Sequence, residues 1–112
     1  MHELSLVMSI VKTCEEIAIQ EDAKEIKEVQ LEIGTMAGVE PNAFDMAWKE
    51  GTKNTQLHNA QLLIDKVEAQ AQCLECKTLF PLENLFDACP NCNSHFIDII
   101  TGKQFRIKSI LV

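Results

Sequence analysis

Two pairs of cysteines dominate the chemistry open to this chain of 112 residues: Cys73-Leu-Glu-Cys76 and Cys89-Pro-Asn-Cys92, twelve residues apart. Cysteines three positions apart on a tight turn place both sulfurs on one side, within about 4 Å of each other. Two such turns facing each other supply the tetrahedron of thiolates that Zn²⁺ accepts, with Zn–S bonds of about 2.3 Å. Four protein ligands leave no open coordination position, so such a site is structural rather than hydrolytic. The surrounding segment carries little apolar content, with Leu79, Phe80, Leu82, Leu85 and Phe86 at most. Bound metal must then supply much of its folding free energy. Other uses of C-x-x-C fit less well. Neither pair is followed by the helical pattern of a redox motif, and Lys77 and Asn93 stand where haem attachment needs a histidine. Iron also accepts four sulfurs, and ligand type alone does not separate it from the expected zinc. His95, three residues after Cys92, offers an alternative ligand, although a surface position beside the turn is the simpler expectation.

The chain begins Met1-His2-Glu3. A histidine at position two of a free N-terminus is a chelator by simple geometry. The α-amine, the backbone nitrogen of His2 and its Nδ1 can close five- and six-membered rings around one ion. Such tetragonal nitrogen sites suit Ni(II) or Cu(II). Amine and imidazole, with ordinary pKa values of about 7.7–8.0 and about 6.5, must shed protons to bind, so affinity falls as pH drops through that range. The fourth donor stays open: the Glu3 amide or carboxylate, another side chain, water, or a partner's ligand. An early histidine is common in proteins that bind no metal, so this feature alone carries little.

Composition narrows the class. Hydrophobic residues are 46% and charged residues 24%, ordinary for a globular domain. Net charge is −7, with Arg106 the one arginine among ten basic residues, and such a surface repels phosphate backbones. No nucleic-acid partner is expected. No apolar run approaches the eighteen or so residues needed to span a bilayer, and the start lacks the basic n-region of a signal peptide. A cytoplasmic protein is expected, in which five cysteines argue for metal rather than disulfides. The early acid (Glu15, Glu16, Glu21, Asp22, Glu25, Glu28, Glu32) reads as a solvated face. No nucleophile–base pair marks an enzyme.

Several elements must position these groups. Leu4, Val7, Met8, Val11, Cys14 and Ala18 recur at helical spacing, widened by Leu6, Ile10 and Ile17, with Cys14 as a core residue. Ile26 to Ile33 alternates, so Val29, Leu31 and Ile33 would face a core. Gly34 and Gly38 mark a loop, and Pro41 suits the first turn of a second helix carrying Ala43, Phe44, Ala47 and Trp48. Leu62 to Ala71 reads as one strand whose phase slips, which a bulge near Asp65 would reconcile. Ile97–Ile100 and Phe105–Val112 read as strands joined across Thr101-Gly102-Lys103. The expected class is α+β: two helices on a small antiparallel sheet, interrupted by a zinc-ribbon-like four-cysteine module. The chain would leave the sheet near Ala71 and return near Ile99. The expected division is 1–70 with 99–112 for the α/β domain and 71–98 for the zinc module.

The run Met1-His2-Glu3-Leu4-Ser5-Leu6-Val7 resembles the M-H-E-x-S-x-V opening of the hydrogenase nickel incorporation protein family, HypA and its close relative HybF. The resemblance continues through the Val29-to-Gly38 strand and loop, the Glu40-Pro41 entry to the second helix, and both C-x-x-C motifs. It implies a non-enzymatic nickel metallochaperone that holds Ni(II) through Met1 and His2, with Glu3 contributing its backbone or tuning the site. It implies structural zinc on Cys73, Cys76, Cys89 and Cys92. It also implies a HypB-like GTPase partner, the large subunit of nickel–iron hydrogenase as destination, and in some bacteria urease accessory proteins, with the carrier a monomer or weak homodimer. Some relatives have histidines flanking both cysteine pairs, whereas here only His95 is near.

Overall fold

Helix α1 (Glu3–Gln20) buries Glu3, Val7, Ile10, Val11, Cys14 and Ala18 along one face. Its β-branched residues are not strong helix formers, so burial of this stripe rather than intrinsic propensity holds it. The helix stops at Glu21, whose N–H turns back to Ile17 O, and at Asp22, whose φ of +52° leaves helical space. The stripe is rotated from the expected one. Leu4 and Met8 are each 46% exposed, and the buried edge runs through Glu3 and Ile10 instead. Gly51 explains the rotation: a Cβ there would lie 2.7 Å from Val7 Cγ1, so the end of α2 closes directly on Val7 while Leu4 and Met8 flank it.

Helix α2 (Pro41–Gly51) starts as Pro41 suggests, because an N1 proline forfeits a hydrogen bond that the first turn lacks anyway. Phe44 and Trp48, one turn apart, are its buried residues, with ring centroids 6.5 Å apart. Strand β1 (Glu28–Gly34) buries Val29 and Leu31 fully and leaves Ile33 half-buried.

The structure, a computed structural model, describes residues 2–112. The remaining strands are β2 (Gln61–Val67), β3 (Gln70–Cys73), β4 (Leu79–Pro81), β5 (Ile97–Thr101) and β6 (Phe105–Leu111). They form two three-stranded sheets, ordered β2-β1-β6 and β4-β3-β5. Two expectations are corrected here. Leu62 to Ala71 is not one bulged strand but two strands in different sheets, so the phase changes where the chain changes sheet. Ile64 is 48% exposed. The strands β5 and β6 do not form a hairpin across Thr101-Gly102-Lys103 either, since each belongs to a different sheet. Glycine is required at this crossing: Gly102 has φ of +110°, and a Cβ on it would lie 2.4 Å from Ala69 Cα.

By internal contacts the chain forms two compact units. One comprises Met1–Leu31, Val39–Ile64 and Ile107–Val112; the other comprises Glu32–Gly38 and Asp65–Arg106. The first unit's core gathers the α1 stripe with Ile26, Val29, Leu31, Phe44, Trp48 and Leu57. The second is smaller: Ala69, Ala71, Cys73, Phe80, Leu82 and Cys89. Two of those six are cysteines of the paired motifs, so the apolar core and the sulfur cluster are one object. No helix among the described residues is long and apolar enough to cross a membrane.

Candidate metal centre

Each C-x-x-C pair folds into the same turn. Cys73 N–H bonds Thr78 O at 2.9 Å and Lys77 N–H returns to Cys73 O at 3.0 Å; Cys89 N–H bonds Ser94 O at 2.8 Å and Asn93 N–H returns to Cys89 O at 2.8 Å. The residue after each second cysteine is left-handed, Lys77 at φ +65° and Asn93 at φ +62°. Asparagine tolerates that conformation, whereas lysine accepts it against its steric preference. One turn follows the end of β3 and the other lies in the segment that precedes β5, and together they bring four sulfurs within 4.8 Å of one another. Cys73 and Cys92 lie 3.5 Å apart across the turns, and Cys76 and Cys89 lie 3.6 Å apart. A zinc tetrathiolate has S···S edges of about 3.8 Å, given Zn–S bonds of about 2.3 Å. Donor type, number and spacing therefore fit zinc. Among the described residues these four form the one grouping of this kind, and exposed His95 stands outside it.

The sulfurs differ in their surroundings. Cys76 Sγ lies 3.2 Å from Thr78 Oγ1 and accepts from Asn91 Nδ2 at 3.6 Å. Hydrogen bonds from Thr78 and Asn91 hold its thiol down at about 5. Cys92 has the Ser94 backbone N–H to lower it, but sharing with Cys73, desolvation, Cys76 and Cys89 overcome that and push it up to about 12. Cys76 and Cys92 thus diverge within one cluster, the first ionising readily and the second resisting until a cation compensates its charge.

At the head of α1, the first intrahelical bond runs from Leu6 N–H to His2 O at 3.1 Å. His2 occupies the N-cap without a side-chain capping bond, and its ring is 55% exposed. Glu3 is the reverse, with its side chain 7% exposed. Its carboxylate accepts the Glu40 N–H at 3.3 Å and lies 3.7 Å from His2 Nε2. Its own backbone N–H, that of Glu40 and the His2 charge hold the carboxyl below the usual range against the opposing effect of burial. Glu40 in turn caps α2, its carboxylate accepting from the Asn42 and Ala43 N–H groups. A buried anion thus sits where two helix N-termini converge, the location that helix dipoles favour. Met1, the remaining residue expected at this site, lies outside the described residues.

Three participants escaped the sequence reading. Glu40 was legible as the entry to α2 but not as its cap, since Ser, Thr, Asp and Asn lead at that position. Thr78 and Asn91 lie inside or beside the turns, yet nothing in spacing says that their side chains aim at Cys76. Cys14, expected in the core, is fully buried, and burial followed by the Glu15 charge pushes its thiol up to about 11. His58 is exposed on the rim of a polar depression with Glu15, Lys24 and Glu25.

Comparison with known proteins adds to this geometry. A family profile described as hydrogenase/urease nickel incorporation, metallochaperone, hypA matches residues 1–112. The hydrogenase maturation factor HypA of Parabacteroides distasonis is 39% identical over 112 residues, covering 100% of this chain and 97% of its own. Its counterpart from Geotalea uraniireducens is 37% identical, covering 100% and 99%. The solution structure of the nickel metallochaperone HypA from Helicobacter pylori aligns with a TM-score of 0.67 at 26% identity, covering 99% of this chain and 97% of that one.

Proposed function

This chain belongs to the HypA hydrogenase/urease nickel incorporation family of metallochaperones, and on that premise we propose that it carries Ni(II) at its own N-terminus and delivers it to maturing nickel–iron hydrogenase. The observation that carries this reading is the pairing at the head of α1: an exposed His2 ring directly beside a buried, anchored Glu3. The ring is free to take a metal, while the residue after it is fixed to the α2 cap and cannot drift away. The proposed donors are the Met1 amine, the His2 backbone nitrogen and imidazole, with Glu3 giving its backbone nitrogen or tuning the ring. Its carboxylate is already engaged by the Glu40 N–H.

Nickel here is cargo, and the site suits cargo. Amine and amide must release protons to bind, so a proton or a competing ligand reverses the step. A chain end offers an incomplete donor set that a recipient's ligands can finish and take over. The second unit does the opposite, with zinc proposed on Cys73, Cys76, Cys89 and Cys92 as a closed structural site. In this division of labour the first unit handles nickel and the second provides the zinc-held module, with no catalytic step in either. A HypB-like GTPase, the hydrogenase large subunit and urease accessory proteins are the proposed partners in the cytoplasm, with the carrier a monomer or weak homodimer and neither nucleic acid nor membrane engaged.

The test is nickel titration of untagged protein against its His2→Ala variant. Specific nickel binding should disappear while zinc content and helical circular dichroism stay unchanged. Equal affinity in the two proteins would refute the terminal site, and an unfolded variant would make His2 structural instead.

A further inference from the structure

We propose that Cys92 is the modification site of the four-cysteine centre: in zinc-loaded protein, electrophiles and peroxides react with this sulfur first, and Cys73 then closes a disulfide with it that expels the metal. The inference rests on the zinc reading of the cluster given above.

Exposure separates the four ligands. Cys73 and Cys89 are fully buried, Cys76 is half-buried, and Cys92 alone is exposed. Hydrogen bonding separates the two more accessible ligands, Cys76 and Cys92, in the same direction. Cys76 faces the Thr78 hydroxyl and the Asn91 amide, and Cys73 accepts the Cys76 N–H at 3.4 Å. Cys92 is served by the Ser94 backbone N–H. Each donor aimed at a zinc-bound thiolate draws electron density from sulfur and lowers its nucleophilicity, and outer partners of this kind tune metal ligands generally. All four ligands of a zinc-loaded centre are thiolates, so access and hydrogen bonding decide which sulfur reacts first. Cys92 has the better access, and Cys76, the next most accessible, carries side-chain donors that Cys92 lacks.

The chemistry balances. The Cys92 thiolate attacks one oxygen of a peroxide; an S–O bond forms, the O–O bond breaks, and hydroxide or alkoxide leaves. Sulfur loses two electrons to become sulfenic acid, and the peroxide gains them. Cys73 Sγ, 3.5 Å away on the other turn, then attacks the Cys92 sulfur; the S–S bond forms, the S–O bond breaks, and the departing hydroxide is protonated to water. Zinc is left with Cys76 and Cys89 alone. Because Cys73 and Cys89 also belong to the second unit's core, release of the metal removes structure as well as charge.

The test begins with metal content, because a preparation without one zinc per chain would contradict the zinc reading itself before any reagent is added. Zinc-loaded full-length protein is then treated with substoichiometric N-ethylmaleimide, quenched in acid and mapped by peptide mass spectrometry. Early adduct at Cys92 should exceed that at each other cysteine by at least about tenfold. A preference for Cys76, or an even spread, would overturn the proposal. With hydrogen peroxide and a chromogenic zinc chelator, zinc release should track the Cys73–Cys92 disulfide in unreduced peptides; a different disulfide would overturn the second step. Thr78→Val keeps all four ligands and removes one donor from Cys76, so the Cys76 share of adduct should rise at unchanged zinc content. An unchanged ratio would contradict the role given to hydrogen bonding.

Discussion

At the four-cysteine centre every donor is a side chain, two of the four sulfurs are fully buried, and two matching turns from separate segments hold them. At the head of α1 the proposed donors are mostly main-chain nitrogens at a chain end, the one ring involved is half exposed, and only Glu3 is anchored. The first arrangement closes the coordination sphere and makes the metal part of a core. The second, as proposed, would leave the sphere unfinished and keep the metal out of the core altogether. If both sites bind as proposed, the contrast teaches how one short chain would hold one metal permanently and another provisionally. On the proposed reading, permanence comes from four side-chain ligands that share a unit's core, and lability from a few donors at an exposed chain end.

The contrast breaks most visibly if the cysteine centre is removed. Chelation of zinc, or Cys73→Ala, should abolish stoichiometric zinc and collapse amide dispersion for residues 65–106 in nitrogen–proton spectra. Metal-coupled folding at such sites is worth on the order of 10 kcal/mol. Helical signals from α1 and α2 should persist; their loss would show that the first unit also depends on zinc. Phe44→Ala acts on the other side. Phe44 is 1% exposed in the first unit's core, and truncating such a ring costs about 3–5 kcal/mol. Denaturant midpoints of the helical signal should fall accordingly while zinc content is retained.

Much of this was legible in the sequence, for physical reasons that also mark the limit. The cysteine centre was readable because a metal with fixed coordination imposes spacing on the chain itself. The two helices and β1 were readable because their buried stripes repeat at 3.6 and 2 residues. What escaped was everything set by distant partners. Alternation says which face of a strand is buried but not which sheet it joins, so Leu62–Ala71 looked continuous across a sheet change. Glu3 gives no sign of burial, because the N–H that compensates it comes from Glu40, 37 positions later. The left-handed Lys77 is equally silent, since its conformation is imposed by the turn around Cys73 and Cys76.

Glu3 offers a smaller and more selective effect. Its lowered carboxyl contributes stability that is complete above the unfolded value of 4.5 and is lost as pH falls through the lower folded value. Glu3→Gln should therefore lower thermal stability at neutral pH and flatten the decline below about 4.5, as followed by circular dichroism at 222 nm. An unaltered acid profile would show that the carboxylate is not anchored by Glu40. The smallest stability effect belongs to His2→Ala. An exposed residue without a capping bond should change unfolding free energy by no more than about 0.5 kcal/mol in denaturant titration.

The central claim is that nickel is held by the chain's own first residues, and a single extra residue tests it. Native mass spectrometry with competitive nickel titration should be run on untagged protein and on protein carrying one glycine before Met1. The addition displaces the α-amine from its chelate ring but leaves His2, Glu3 and all cysteines in place. Unchanged zinc with loss of specific nickel binding is the predicted result. The same nickel stoichiometry and affinity in both proteins would contradict a site at the N-terminus.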